Sequence, residues 1–210
     1  MDVGVSYLKK EYNYKLMIIT KLKGGLGNQM FQYIAGFAMA VKYKEELKID
    51  ITGYTDPRYI NADTPRTYRL HAFNLSGTLA TNEEAQHARN PYGIFSKLLR
   101  AFNQRVLNKY YTDYDSSFFT KKRKYIEGYF QSEKNFQDIR NKARDEFSLK
   151  PEFQTEVFLA EKNKIDKEKS VSVHIRRGDY VTDKKTNSFH GTCSKDYYER
   201  GMEIVKSKVD

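Results

Sequence analysis

The sequence predicts an α/β fold built on a parallel sheet, and three adjoining segments predict it. Residues 16–22 (LMIITKL) are a short, apolar, β-rich run of the kind that forms a buried strand. Gly24, Gly25 and Gly27 break that run, and from Gln29 to Lys42 apolar side chains recur at helical spacing as Met30, Ile34, Phe37 and Val41. Leu47 to Ile51 then alternates apolar and polar residues as a second strand does. Strand, glycine turn, helix and strand make a βαβ unit, whose strands run parallel.

The other elements follow in chain order. Asn28 reads as the cap of the first helix, since its short side chain can accept hydrogen bonds from the free N–H groups of the first turn. The stripe of Met30, Ile34, Phe37 and Val41 reads as core-facing. Residues 53–70, with Gly53, Pro57 and Pro65, read as a long loop, and Pro91-Tyr92-Gly93 as a second break. Ile94 to Leu107 is helical by period, through Ile94, Leu98, Phe102 and Val106. Tyr125 to Phe130 reads as a short strand. Asn135 to Phe147 and Glu152 to Lys162 read as helices separated by Pro151. The charged stretch 165–170 is the expected domain boundary. Ser170 to Ile175 reads as a new buried strand and Lys195 to Lys208 as an amphipathic helix. The predicted organisation is therefore a disordered extension at 1–16 with Met17 as the natural start, a first domain at 17–165, and the beginning of a second at 170–210.

Composition narrows the function classes. With 39% hydrophobic and 30% charged residues among 210, a folded core is expected. The 17 tyrosines and 13 phenylalanines, with no tryptophan, serve mainly as packing rings. A net charge of +10 permits nucleic acid, anionic lipid or nucleotide phosphates as partners. The lysines are scattered, however, the densest cluster (Lys121, Lys122, Arg123, Lys124) reads as a solvated turn, and no nucleic-acid-binding motif is present. The single Cys193 excludes an internal disulfide and suits a reducing compartment. No stretch approaches the ~20 apolar residues of a membrane span, and residues 1–16 lack the apolar core of a secretory signal. A cytoplasmic address is expected.

Two segments could carry chemistry. The turn Gly24 to Gln29 lets backbone approach a ligand and presents N–H groups at a helix start. It lacks the third glycine of a dinucleotide fingerprint and the Gly-Lys-Ser/Thr of a phosphate loop, so a tight turn alone also accounts for it. The run His174-Ile175-Arg176-Arg177-Gly178-Asp179-Tyr180 ends an apolar stretch, where ligands of parallel sheets sit. Strand alternation would place His174 and Arg176 on one face and Arg177 on the other. Paired guanidinium forks match diphosphate oxygens, although a surface salt-bridge cluster has the same composition. Asp179 could orient an arginine or cap the following segment. His71, His87 and His190 show no metal-ligand spacing, and Asp113 with Asp115 is read as a solvated loop.

Five segments together resemble the alpha-1,2-fucosyltransferases of glycosyltransferase family 11. They are KLKGGLGNQMFQYIAGFAMA (21–40), TYRLHAFNL (67–75), GYFQSEKNF (128–136), HIRRGDY (174–180) and SKDYYERGMEIV (194–205). The resemblance implies a GT-B-like fold of two Rossmann-like domains, the second represented here by its first strand and helix and therefore incomplete. It implies inverting, metal-independent transfer of L-fucose from GDP-fucose to the 2-hydroxyl of a terminal galactose, with no cofactor. The implied acceptor is a galactose-terminated glycan or lipid-linked oligosaccharide, met in the cytoplasm or at the inner membrane face. Arg176 would bind the diphosphate, His174, Arg177 and Asp179 would shape its pocket, and Gly25, Gly27, Asn28 and Gln29 would line the cleft, with Arg176 and Asn28 catalytic. Two other readings stay open: a non-catalytic remnant of such an enzyme, and a basic nucleic-acid-binding protein.

Overall fold

The computed structural model describes residues 17–55, 66–105, 114–184, 187–188 and 191–208. The predicted extension 1–16 lies outside them. The chain divides into two compact units, residues 1–154 and 155–210.

The first unit is a four-stranded parallel sheet in the order β3-β2-β1-β4. β1 (Met17–Lys21) is central. It pairs on one side with β2 (Glu46–Asp50), Met17 opposite Glu46 and Lys21 opposite Asp50. On the other side it pairs with β4 (Tyr125–Ile126), Ile19 opposite Tyr125. The edge strand β3 (Thr78–Leu79) pairs with β2. Met17, Ile18, Ile19 and Thr20 are all buried, as a strand covered on both faces requires.

The connection from β1 to β2 is α1 (Leu26–Tyr43). It begins three residues earlier than the apolar period suggests. Its buried face is Gln29, Gln32, Tyr33, Gly36, Met39 and Ala40, flanked by Ile34 and Ala35. Of the predicted stripe only Ile34 is fully buried, and Met30 and Phe37 pack at the margin. The helix is rolled so that small residues meet the sheet. A Cβ on Gly36 would stand 2.7 Å from the Thr20 Cβ and 3.0 Å from the Leu47 Cδ1, so glycine permits the close approach. Across it the buried Thr20 hydroxyl donates to the Gln32 carbonyl at 2.9 Å.

β3 leads into α2 (Asn82–Arg89), a helix the sequence reading missed, and then α3 (Ile94–Arg105). α2 starts with a capping box: the Glu84 N–H donates to Thr81 Oγ1 and the Thr81 N–H to Glu84 Oε2. Burial disfavours ionisation of Glu84, but its hydrogen bonds from Lys48 and the Thr81 N–H outweigh this and hold its pKa low. The 2.5 Å contact with Lys48 ties α2 to β2. The predicted strand 125–130 pairs for two residues only. The predicted helix 135–147 is two 3-10 turns followed by α4 (Arg140–Glu146). On α4, the buried Glu146 accepts from Tyr33 Oη and, at 2.8 Å, from the Ser76 N–H, fastening α4 to α1.

The second unit holds α5 (Glu156–Lys167), the single-turn α6 (Asp179–Thr182) and α7 (Lys195–Lys206). α5 starts after residue 155, so the predicted helix at 152–162 and the predicted boundary at 165–170 both shift, and this helix groups with the second unit. The expected buried strand at 170–175 is not formed: Val171, Val173 and Ile175 are 56%, 47% and 53% exposed. A strand persists only when its backbone groups join a ladder, and the described residues of this unit supply no partner strand. No described residue from 155 to 208 is buried.

Candidate functional site

In a parallel sheet the ligand crevice lies at the carboxyl ends of the strands, where the strand order reverses. Here the chain goes outward from β1 to β2 and β3, then returns to the far side of β1 as β4. The reversal falls between β1 and β4, and the glycine turn follows directly on β1.

Several backbone features shape that turn. The Leu22 N–H still donates to the Asp50 carbonyl, and the Lys23 N–H donates to Gln32 Oε1 at 2.8 Å. Gly24 then adopts φ +80, a conformation that favours glycine, and a Cβ there would stand 2.7 Å from Asn28 Nδ2 and displace that amide. Gly25 occupies the cap position of α1 with no side-chain cap. Asn28 is therefore not the cap. It lies in the first turn, and its Oδ1 accepts from Gln131 Nε2 at 2.7 Å. No atom stands within 4 Å of a Cβ built on Gly27, so the helix start is open above it.

Gln29 is the residue that joins the parts. Fully buried, it donates to the carbonyls of Gly24 (3.0 Å) and Thr67 (2.8 Å) and accepts from the Arg69 N–H (2.9 Å). The Tyr54 hydroxyl adds a bond to the Gly24 carbonyl at 3.0 Å. The segments 21–40, 67–75 and 128–136 thus meet around one turn. Phe130 supports the third of them with φ +53, an uncommon conformation for a bulky residue. Its carbonyl accepts from the Ser132 N–H at 2.7 Å and from Asn135 Nδ2 at 3.1 Å. That reversal sets Gln131 beside Asn28.

The crevice is cationic. Glu127, just beyond β4, contacts Arg89 at 3.1 Å and Lys21 at 3.9 Å. The Lys23 ammonium stands 4.6 Å from the centroid of the Tyr129 ring. Burial pushes both lysines below the usual 10.5; Glu127 opposes that shift, and neighbouring arginines add to it. Asp50 is buried and accepts from Tyr125 Oη at 2.5 Å and from the Thr52 N–H and hydroxyl. Burial first, and then Asp50, holds the Tyr125 phenol far above its ordinary value. Around Lys21 the cations Lys23, Arg89 and Arg100 outnumber the carboxylates Asp50 and Glu127, so the site favours an anion. Sequence reasoning missed Lys21, Lys23, Glu127 and Gln131. Their signal was position, two lysines at a strand end and a carboxylate at another.

The predicted residues divide between the two units. Gly25, Gly27 and Asn28 lie at the crevice of the first. His174, Arg176, Arg177 and Asp179 belong to the second. With no strand at 170–175, the expected alternation of His174 and Arg176 against Arg177 does not apply. Arg176 and Arg177 are exposed, and the Arg176 guanidinium lies 4.4 Å from the centroid of the Tyr180 ring. Gly178 turns the chain at φ +42, and its carbonyl accepts from the Val181 N–H at 3.0 Å, so α6, opened by Asp179, follows directly. His174 lines a cavity of about 620 Å³ beside α7, with Val171, Tyr197, Tyr198 and Met202.

Of the other candidates, His71 packs edge-on against Phe153 (5.5 Å between centroids), and Asp115 caps a turn by accepting from Ser117. Asp113 and His190 lie outside the described residues. Among the described residues no three His, Cys, Asp or Glu side chains cluster to hold a metal. None of the described helices is long and apolar enough to cross a membrane.

Comparison with known proteins extends these observations. Two similar proteins come from Escherichia coli. An alpha-1,2-colitosyltransferase is 30% identical over 206 residues, covering 92% of this chain and 66% of its own length. The O-antigen biosynthesis glycosyltransferase WbnK is 29% identical over 204 residues, covering 88% of this chain and 67% of its own. No solved structure matches the chain significantly. The model of glycosyl transferase family 11 matches residues 97–210, more than half of the chain. The chain belongs to glycosyl transferase family 11.

Proposed function

We propose that this chain carries the amino-terminal domain and the start of the donor domain of a GT-B-type glycosyltransferase. That enzyme moves L-fucose from GDP-fucose to the 2-hydroxyl of a terminal galactose, with inversion and without a metal. The observation that carries the reading is the meeting of three segments at the sheet's reversal point, through Gln29 to Thr67 and Arg69 and through Asn28 to Gln131. In the displacement, the acceptor oxygen bonds to fucose C1 and gives up its proton to solvent, while the bond from C1 to the phosphate oxygen breaks and GDP leaves with the electron pair. Arg176 binds the diphosphate, and His174, Arg177 and Asp179 form its surroundings. A guanidinium fixed beside the leaving oxygen stabilises the transition state more than the ground state. The acceptor is a galactose-terminated glycan or lipid-linked oligosaccharide, reached in the cytoplasm or at the inner membrane face.

A second donor is favoured by the colitosyltransferase relative. Colitose is fucose without its 3-hydroxyl, so GDP-colitose presents the same diphosphate and the same leaving group. The test is an assay with each donor and a panel of galactosides, read by mass spectrometry of the product. Transfer from GDP-fucose supports the first reading, and transfer from GDP-colitose alone moves the assignment to the second. No transfer from either leaves a non-catalytic remnant. In the active protein, Arg176→Ala is expected to cut turnover by about a hundredfold or more, the range for loss of one donor to a transition-state charge. Arg176→Lys is also impaired, because an ammonium offers no planar fork.

A further inference from the structure

α3 lies outside the sheet and reaches the crevice only through Arg100, and the rest of its surface is unlike that of any other described helix in the first unit. Ile94, Phe95, Leu98, Leu99 and Phe102 are 67%, 74%, 61%, 63% and 51% exposed. Their spacing of three and four places them on one side of the helix as a continuous apolar stripe. Tyr92, at the turn before it, is 79% exposed. Twelve residues at 1.5 Å each make a rod of about 18 Å, too short to span a bilayer and long enough to lie on one.

Along the sequence the charge of this stretch is one-sided, and Arg89 in it is paired with Glu127. From Ala85 to Thr112 the sequence has five basic residues (Arg89, Lys97, Arg100, Arg105, Lys109) and no Asp or Glu. Arg100 holds the helix to the body, donating to the Arg89 carbonyl and to Asn90 Oδ1, each at 2.9 Å. Lys97 is exposed among the apolar residues. We infer that α3 is a membrane-docking helix, which lays its apolar face into the headgroup boundary of an anionic phospholipid bilayer while the surrounding cations meet the lipid phosphates. A second copy fits this face less well, because a two-fold contact would set the same acid-free basic stretches against each other. The inference does not depend on which sugar is transferred, since it concerns the apolar stripe of α3 and not Arg100.

The sequence contains no tryptophan, so Phe95→Trp places a single reporter on the stripe. The whole 210-residue chain is mixed with vesicles of phosphatidylcholine, or of phosphatidylcholine and phosphatidylglycerol in equal parts. The expected result is a blue-shifted emission and co-sedimentation with the anionic vesicles, both weakening as salt rises. Leu98→Ser with Leu99→Ser is expected to lower partitioning about tenfold or more, the scale of two leucine side chains, without changing the far-ultraviolet circular dichroism. Lys97→Glu is expected to weaken binding to anionic vesicles several-fold. Absence of any shift or co-sedimentation overturns the inference. So does binding that survives the double leucine variant, or binding lost instead on Met202→Ser with Ile204→Ser in α7. A dimer that the double leucine variant dissolves, with no vesicle binding by the parent, overturns it in favour of contact between copies.

Discussion

Asn28 sits in the first turn of α1, yet the capping position belongs to Gly25 and the Asn28 side chain bonds to Gln131. Asn28→Ser shortens the side chain beyond reach of Gln131 while costing no cap. Melting temperature is expected to hold, within the roughly 0.5 kcal/mol typical of surface changes, while turnover drops about tenfold or more. A variant with full turnover would make Asn28 a bystander. Lys21 and Lys23 allow a test by pH. Burial sets their folded pKa values below 10.5, so in the window from the lowered value up to 10.5 the unfolded chain binds more protons. Stability contributed by these groups therefore rises with pH across that window. If the same ammonium groups attract the donor diphosphate, GDP binding falls as they lose their protons. Opposite slopes for thermal stability and GDP affinity are expected, and parallel slopes would separate the lysines from the donor. At this scale the sequence showed the glycines and the arginine pair by residue type. It did not show Gln29 as the knot, because three hydrogen bonds to residues 24, 67 and 69 have no signature along the chain.

The elements were legible where a local pattern decides them and illegible where packing does. β1, α1 and β2 follow from an apolar run, a period and an alternation. α2 carried a signal that went unread, Thr81 and Glu84 three apart as a capping box. The roll of α1 had no such signal, since it is fixed by how closely Gly36 lets the helix approach Thr20 and Leu47. Gly36→Ala is expected to destabilise the first unit by about 1–3 kcal/mol, the usual cost of overpacking, although alanine is the better helix former. Denaturant unfolding measures it, and a gain in stability would show that the close approach is relaxed in solution. The segment 170–175 misled for the converse reason. Its composition suits a strand, but a strand is a relation between two segments, and the described residues from 155 to 208 show no second one.

At the scale of the molecule the two units differ in how firmly their parts are held. The first has a sheet with buried strands on both sides of a central one, and the second exposes the apolar residues of α5 and α7 together with Val171, Val173 and Ile175. Amide exchange is expected to be slow for Ile18, Ile19 and Ile49 and near the unprotected rate for residues 171–177. Comparable protection in both segments would mean that 170–175 finds a ladder in solution. The architecture of a parallel sheet with an amino-terminal βαβ was readable from residues 16–51 alone. The strand order was not, because the return of β4 to β1 joins residues 19 and 125 across a long intervening chain. That same pairing fixes the order of events when the protein is made. β1 and β2 can associate as soon as α1 and β2 have been made, but the other edge of β1, at Ile19 and Thr20, stays open until Tyr125 and Ile126 emerge. Distant closures are slow, and an open strand edge recruits other chains. The crevice lies along that seam, so nascent chains halted before Tyr125 would lack the site and would be the ones most prone to aggregate.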